Sequence, residues 1–261
     1  MKKKQTKKNL LSRPVRKRRR SSAERGLPPD QQLVDLAKAY LEQQNRYWPE
    51  LSKTGILSQA TDSVISDMVC DYKQRHAAEN LVTESAQSLP SAKQPMAGGY
   101  CRYSCDNSQP TSIVDQLTNI LRVAKEHGRF IPWKFLFADY AVSGLDENRH
   151  GYTAYKTLFK QTDLQLEAVY IDDFTRASRD EKEWWNLYAI AQQFQIPLIG
   201  ASDGFNSADP NSDVLLTMFG LVSRLFVKGL REKVSRGMRG AVERGTVVGK
   251  LPLGFTRLQQ L

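Results

Sequence analysis

GYCRYSCDNSQPTSIVDQLTNILRVAKEHG, residues 99–128, opens the pattern that decides the fold. Its first six residues read as a short strand, and SIVDQLTNILRVAKEHG reads as a helix that stops at Gly128. The alternation continues downstream. WKFLFAD (133–139) is a strand and YTAYKTLFKQ (152–161) a helix; LEAVYIDD (166–173) is a strand and DEKEWWNLYAIAQQFQ (180–195) a helix; IPLIGASD (196–203) is a fourth strand. Short apolar strands separated by helices predict an α/β fold, a mostly parallel sheet of four to five strands with helices on both faces. In such sheets the chemistry gathers at the carboxyl ends of the strands. Those ends carry Arg102 and Ser104, Asp139, Asp172 and Asp173, and Asp203.

Around this α/β domain (98–212) the chain divides by composition. Residues 1–29 form a basic tail that reads as disordered, closing on Gly, Pro and Ser. Residues 30–83 read as a small helical N-terminal module. Leu33, Leu36, Ala37, Tyr40 and Leu41 recur at helical spacing, and Val64, Met68 and Tyr72 repeat the pattern. Residues 84–97 read as a linker. Residues 213–245 form one long helix, apolar nearly all round through Phe226, then reduced to a stripe of Leu230, Val234, Met238 and Val242 among basic residues. Its first half belongs in a core or a subunit interface. Its second half has the character of a helix that leaves the body of the protein to meet a polyanion. A core helix with a solvated end is the plainer alternative. A basic C-terminal segment (246–261) completes the chain.

Charge sharpens this division. The 261 residues carry a net +10. Residues 1–26 hold twelve Lys/Arg against one acid and residues 224–261 nine against two, so the body between them is mildly acidic, at −8. Basic ends on an acidic body suit electrostatic arms for nucleic acid, although a solvated tail or localisation signal has the same composition. No apolar run approaches the roughly 18 residues that span a bilayer. Three cysteines match no disulfide framework, and His76, His127 and His150 are scattered singly, so no metal-ligand spacing is present. A reducing intracellular compartment fits this usage.

The stretch CRYSC raises the question of which nucleophile matters. Side chains alternate along a strand, so Arg102 and Ser104 share one face while Cys101, Tyr103 and Cys105 share the other. The cysteines then serve as small apolar filler, and the serine keeps company with arginine. A serine hydrolase would need a histidine held by a carboxylate, and only His150 lies in a plausible region. The sequence offers Arg149, Arg176 and Arg179 instead. Guanidinium groups clamp phosphate oxygens and stay charged, so a serine among arginines makes chemical sense when the electrophile is a phosphodiester.

In its motifs the chain resembles the serine recombinase (resolvase/invertase) family, in style the large serine integrases and transposases. The family's Y-x-R-x-S strand is matched by Tyr100, Arg102 and Ser104, and the glutamine early in its first helix by Gln116. Its D-x-x-x-S-G with a later arginine resembles Asp139, Ser143, Gly144 and Arg149. Its D-R-L-x-R resembles TRASR with Arg176 and Arg179, and its DG element resembles ASDGF. The long helix leading to G-x-x-P-x-G-[FY] resembles 213–245 followed by GKLPLGF (249–255). Five motifs in the family's order cover about residues 98–257. Thr175 stands where the family has an aspartate, and Asn206 and Ser207 where many members read Asp-Thr.

The resemblance implies a site-specific DNA recombinase. Ser104 would attack a DNA phosphodiester to give a 5′-phosphoserine link. Arg102, Arg149, Arg176 and Arg179 would bind the scissile phosphate, supported by Asp139, Ser143, Gln116 and Asp173. It implies no cofactor and no metal. The partners it implies are double-stranded DNA and further copies of the chain, a homodimer becoming a tetramer in synapsis, in the cytoplasm with the nucleoid. The long helix would serve oligomerisation, and Arg231, Arg236, Arg239, Arg244 and Lys250 would contact DNA. Large members carry a sequence-reading domain after this region. Its counterpart here would lie beyond Leu261, or recognition would fall to the N-terminal extension. Two rival readings accompany this one: a metal-dependent nuclease using Asp139, Asp172 and Asp173, and a DNA-binding regulator on a decayed recombinase fold.

Overall fold

The first strand is unusual in carrying two adjacent glycines, and the packing gives the reason for the first. A side chain at Gly98 would come within 2.7 Å of Leu158 Cδ1, so the strand accepts a helix at close range. This strand, β1 (Met96–Arg102), belongs to a computed structural model that describes residues 30–77, 95–102, 112–140, 149–161, 165–178 and 180–246. It begins three residues before the GYCRYS segment, inside the stretch read as linker. The other strands are β2 (Leu136–Asp139), β3 (Leu166–Ile171) and β4 (Leu198–Gly200). All pair in parallel in the order β2-β1-β3-β4. A further antiparallel contact is a single bridge, Ile199 to Asn206. The registers set Arg102 beside Asp139 and Tyr100 beside Ile171, so the carboxyl ends of the central strands come out along one edge.

Strand alternation assigns the two faces. Ala97, Cys101, Ala138, Ala168 and Tyr170 point into one core, and Tyr100, Phe137, Val169 and Ile171 into the other. The second core is closed by α5 (His150–Leu158), α7 (Glu181–Phe194) and the start of α8 (Ser212–Glu243). The first is closed by α4 (Ser112–Glu126) together with α1 (Asp30–Tyr47) and α3 (Asp62–Ala77). Helices α1 and α3 are therefore built into the sheet's own core. Leu33, Leu36, Tyr40 and Tyr72 are at most 2% exposed, and each such apolar side chain contributes about 1.5–3 kcal/mol by its removal from water. Between them a short helix, α2 (Pro49–Lys53), starts on a proline and seats Trp48 and Leu51 against Phe130. Among the remaining pieces, Trp133–Phe135 form a 3-10 turn before β2, and α6 (Phe174–Ala177) is a single helical turn after β3.

Helix α8 has 32 residues, about 48 Å at 1.5 Å per residue. Only Ser212, Leu216 and Gly220 are buried. Val214, Met218, Leu221, Val222, Leu225 and Phe226 are exposed in the single chain, Phe226 at 71%. The apolar half of this helix is thus divided: Leu216, with Leu215 and Phe219 packed beside it, belongs to the second core, and the other large apolar side chains form a surface. No helix among the described residues is long and apolar enough to cross a membrane.

Candidate active site at the carboxyl edge of the sheet

Arg102 ends β1 and is 4% exposed. Its main chain is held from α4. Gln116 Nε2 donates to the Arg102 carbonyl at 2.9 Å, and the Arg102 N–H donates to Gln116 Oε1 at 3.1 Å. A carboxamide alone among short polar side chains offers one donor and one acceptor in the arrangement of a strand neighbour. This explains a glutamine on the buried face of an amphipathic helix. The guanidinium of Arg102 then reaches the Thr175 carbonyl, Nη2 donating at 3.3 Å.

Asp139, fully buried at the end of β2, organises the second arginine. Its Oδ1 accepts from Gly151 N at 2.8 Å, and its Oδ2 from Tyr152 N and the Tyr100 hydroxyl, both at 2.9 Å. The N-cap position of α5 is Arg149, whose own side chain caps nothing, so the carboxylate from β2 satisfies two N–H groups of that first turn, those of Gly151 and Tyr152. Burial pushes the Asp139 carboxyl up, against the lowering effect of its three donors and of Arg149. Gly151 is required by close approach: a Cβ there would lie 2.8 Å from Asp139 Oδ1 and 2.9 Å from the Ala138 carbonyl.

Arg149 is 3% exposed, its guanidinium 4.0 Å from the centroid of the Tyr152 ring, and its Nη1 donates to the Ala177 carbonyl. Both arginines are therefore tied to main-chain carbonyls of α6, two residues apart. A carbonyl orients a guanidinium, which keeps its own positive charge. The start of α6 is anchored by Asp203, which accepts from Phe174 N at 3.4 Å and from Phe205 N at 3.0 Å. Thr175 donates its hydroxyl to the half-buried Asp173.

The structure brings Arg102, Arg149, Asp139, Gln116 and Asp173 to one edge, with the main chain of Arg176 in α6 between the two accepting carbonyls. Ser104, Ser143, Arg179, Lys250 and the Arg176 side chain lie outside the described residues. Ser104 follows Arg102 by two positions. Arg231, Arg236, Arg239 and Arg244 are exposed along the far half of α8 and its end. Cys101 is buried in the opposite core, where burial pushes its thiol up. Asp172, read as a metal ligand by one rival, accepts from Asn119 Nδ2 and Ser202 Oγ. Among the described residues no three His, Cys, Asp or Glu are grouped to hold a metal.

Sequence reading missed the cleft beside these arginines. A space of about 840 Å³ runs from Arg102 and Thr175 past Trp184 to Arg224, Lys228 and Arg231 on α8. Residues 224, 228 and 231 stand at helical spacing on one face, a signal present in the sequence and passed over. The carbonyls of Thr175 and Ala177 have no side-chain signature at all.

A family model described as Resolvase, N terminal domain, matches residues 97–247. The chain belongs to the resolvase family. The resolvase match runs from β1 into the segment after α8 and leaves α1, α2 and α3 outside it. Two solved structures are similar. The N-terminal catalytic domain of TP901-1 integrase is 18% identical, with a TM-score of 0.41 over 52% of this chain and 98% of that one. A resolvase family site-specific recombinase from Streptococcus pneumoniae is also 18% identical, with a TM-score of 0.41 over 58% of this chain and 99% of that one. No curated protein matches this resolvase chain.

Proposed function

We propose that this resolvase-family protein is a site-specific DNA recombinase that cuts and rejoins DNA through a covalent phosphoserine. The observation that carries the reading is the convergence of Arg102 and Arg149 on the carbonyls of α6, beside the strand end that leads to Ser104. In the forward step Ser104 Oγ forms a bond to phosphorus and the bond to the 3′ oxygen breaks. The serine proton is released and the 3′ oxygen leaves as a hydroxyl. Arg102, Arg149, Arg176 and Arg179 stabilise the charge that grows on the non-bridging oxygens. The reverse step uses the same groups on a new partner strand, and the energy of the broken bond is kept in the serine ester.

The exposed apolar half of α8 is the surface through which two copies would associate, and pairs of dimers would form the tetramer of synapsis. A soluble monomer rarely exposes so many contiguous large apolar side chains. The basic half exposes Arg231, Arg236, Arg239 and Arg244 around the helix, charges suited to phosphates. The protein would work on double-stranded DNA in the cytoplasm, with the nucleoid.

The test is capture of the serine ester. The protein is incubated with the duplex flanking its own gene and with a pool of random-sequence duplexes, then denatured. A protein–DNA adduct on the 5′ end, lost in Ser104→Ala and formed equally in chelator, is the expected result. An adduct that survives Ser104→Ala would refute the mechanism. Binding to duplex without any adduct in the wild type would favour the regulator reading.

A further inference from the structure

Strand β2 forms one edge of the sheet, yet the outward peptide groups of its Ala138 are occupied. In a strand the N–H and C=O of one residue point to the same side, alternating with those of the next. Ala138 turns both outward, away from β1. Tyr72 of α3 takes both: its hydroxyl donates to the Ala138 carbonyl at 2.6 Å and accepts from Ala138 N at 2.8 Å. Three residues on, Arg75 Nη1 donates to the Lys134 carbonyl at 2.7 Å. Helix α3 therefore meets the β2 edge at Ala138 and the turn before it at Lys134. Tyr72 is wholly buried, so nothing in water competes for these bonds.

The residue after Ala138 is Asp139, which holds the first turn of α5 and with it Arg149. The Ala138 carbonyl held by Tyr72 is also the one against which Gly151 is pressed. A continuous set of contacts thus runs from Tyr72 through Ala138 and Asp139 to Gly151 and Arg149. We infer that Tyr72 is a positioning residue for Arg149, and that residues 30–77 are a working part of the catalytic unit. Charge argues against these helices as a DNA reader, since residues 30–77 hold seven acids against five Lys/Arg. The inference rests on the recombinase reading for its rate measurement, and on geometry alone for its second measurement.

The experiment compares full-length Tyr72→Phe with Tyr40→Phe. Tyr40 belongs to the same layer, and its hydroxyl donates to the Ile131 carbonyl at 2.9 Å where that of Tyr72 serves Ala138, so it reports the general cost of losing a buried hydroxyl. Tyr72→Phe is expected to slow adduct formation at saturating DNA by on the order of 10- to 100-fold, the scale of a small misplacement of a catalytic group, with unchanged DNA affinity. Tyr40→Phe should keep the wild-type rate at a similar thermal midpoint. Rates that fall together, in proportion to lost stability, would overturn the inference. The side-chain Nε–Hε resonance of Arg149, identified by its loss in Arg149→Lys, gives the second measurement. It should move in Tyr72→Phe and stay in Tyr40→Phe, and its failure to move would overturn the inference even if no duplex were cut. Absence of any wild-type adduct with a shifted resonance would instead refute the recombinase reading and leave the positioning supported. Gly151→Ala presses on the same carbonyl with α3 intact; an unmoved resonance there would also count against the link.

Discussion

Gln116 on α4 and Arg102 at the end of β1 exchange two hydrogen bonds, so one side chain completes the strand where its neighbours stop. Gln116→Glu keeps the shape and removes the donor to the Arg102 carbonyl. We expect a loss of about 1–3 kcal/mol, the cost of an unsatisfied buried group, read from denaturant unfolding. Adduct formation should fall as well, because the strand end that leads to Ser104 loses its register.

Arg149 makes its two contacts with a guanidinium's geometry, one nitrogen on the Ala177 carbonyl and the plane near the Tyr152 ring. Arg149→Lys preserves the charge but not this arrangement. A drop in the single-turnover cleavage rate of about 10²–10³-fold is expected, the range for losing one preorganised donor, with little change in duplex affinity by gel shift. Equal loss in rate and affinity would assign Arg149 to general binding.

Asp203 has its carboxyl pushed up, first by burial, with Asp173 adding to the effect. A carboxyl that binds its proton more tightly when folded favours the folded state while protonated. That contribution is present at low pH and is lost as pH rises from about 3.9, the unfolded value, through the raised folded value. Asp203→Asn removes the titration. The thermal midpoint of the variant relative to wild type should therefore improve as pH is raised from acid through that window. A constant difference would contradict it.

Phe226, 71% exposed on α8 beside Val222 and Leu225, should matter to assembly and little to folding. Phe226→Glu is expected to shift the protein toward monomer in sedimentation velocity while leaving its circular dichroism intact. An unchanged sedimentation profile would place the interface elsewhere.

The outward arginines on the basic end of α8 predict a salt signature. Removing one side chain that neutralises a phosphate lowers the slope of log K against log salt by about 0.9. Single alanine replacements at Arg231, Arg236 and Arg239 should each flatten the slope by about that amount for any duplex sequence. An unaltered slope would take the helix end off the DNA.

The fold was legible because each strand is a short apolar run bounded by polar residues, and because α4 and α7 carry clear periodicity. The alternation of CRYSC already turned Cys101 away from Arg102, as the two cores bear out. Helix α2 escaped notice, since PELSK offers only five residues and its proline reads as a break. The start of β1 was hidden by MAGG, whose composition is that of a linker until Leu158 is seen lying against Gly98. The placement of α1 and α3 was also out of reach: periodicity says that Tyr72 faces a core but not whose core it is. At the site, Arg102, Arg149 and Asp139 stood out by type and position. The carbonyls of Thr175 and Ala177 did not, because a main-chain acceptor belongs to every residue equally.

At the far edge of the sheet, β4 is also covered. Ser207 donates its N–H to the Leu198 carbonyl and accepts the Leu198 N–H on its hydroxyl, and Gly200 donates to the Phe205 carbonyl. With Tyr72 of α3 on Ala138 of β2, each margin of the sheet has outward peptide groups already bonded, which hinders strand addition from another molecule. Sheet-to-sheet growth into fibrils is thereby disfavoured among the described residues, while the exposed apolar side chains of α8 stay open to a partner.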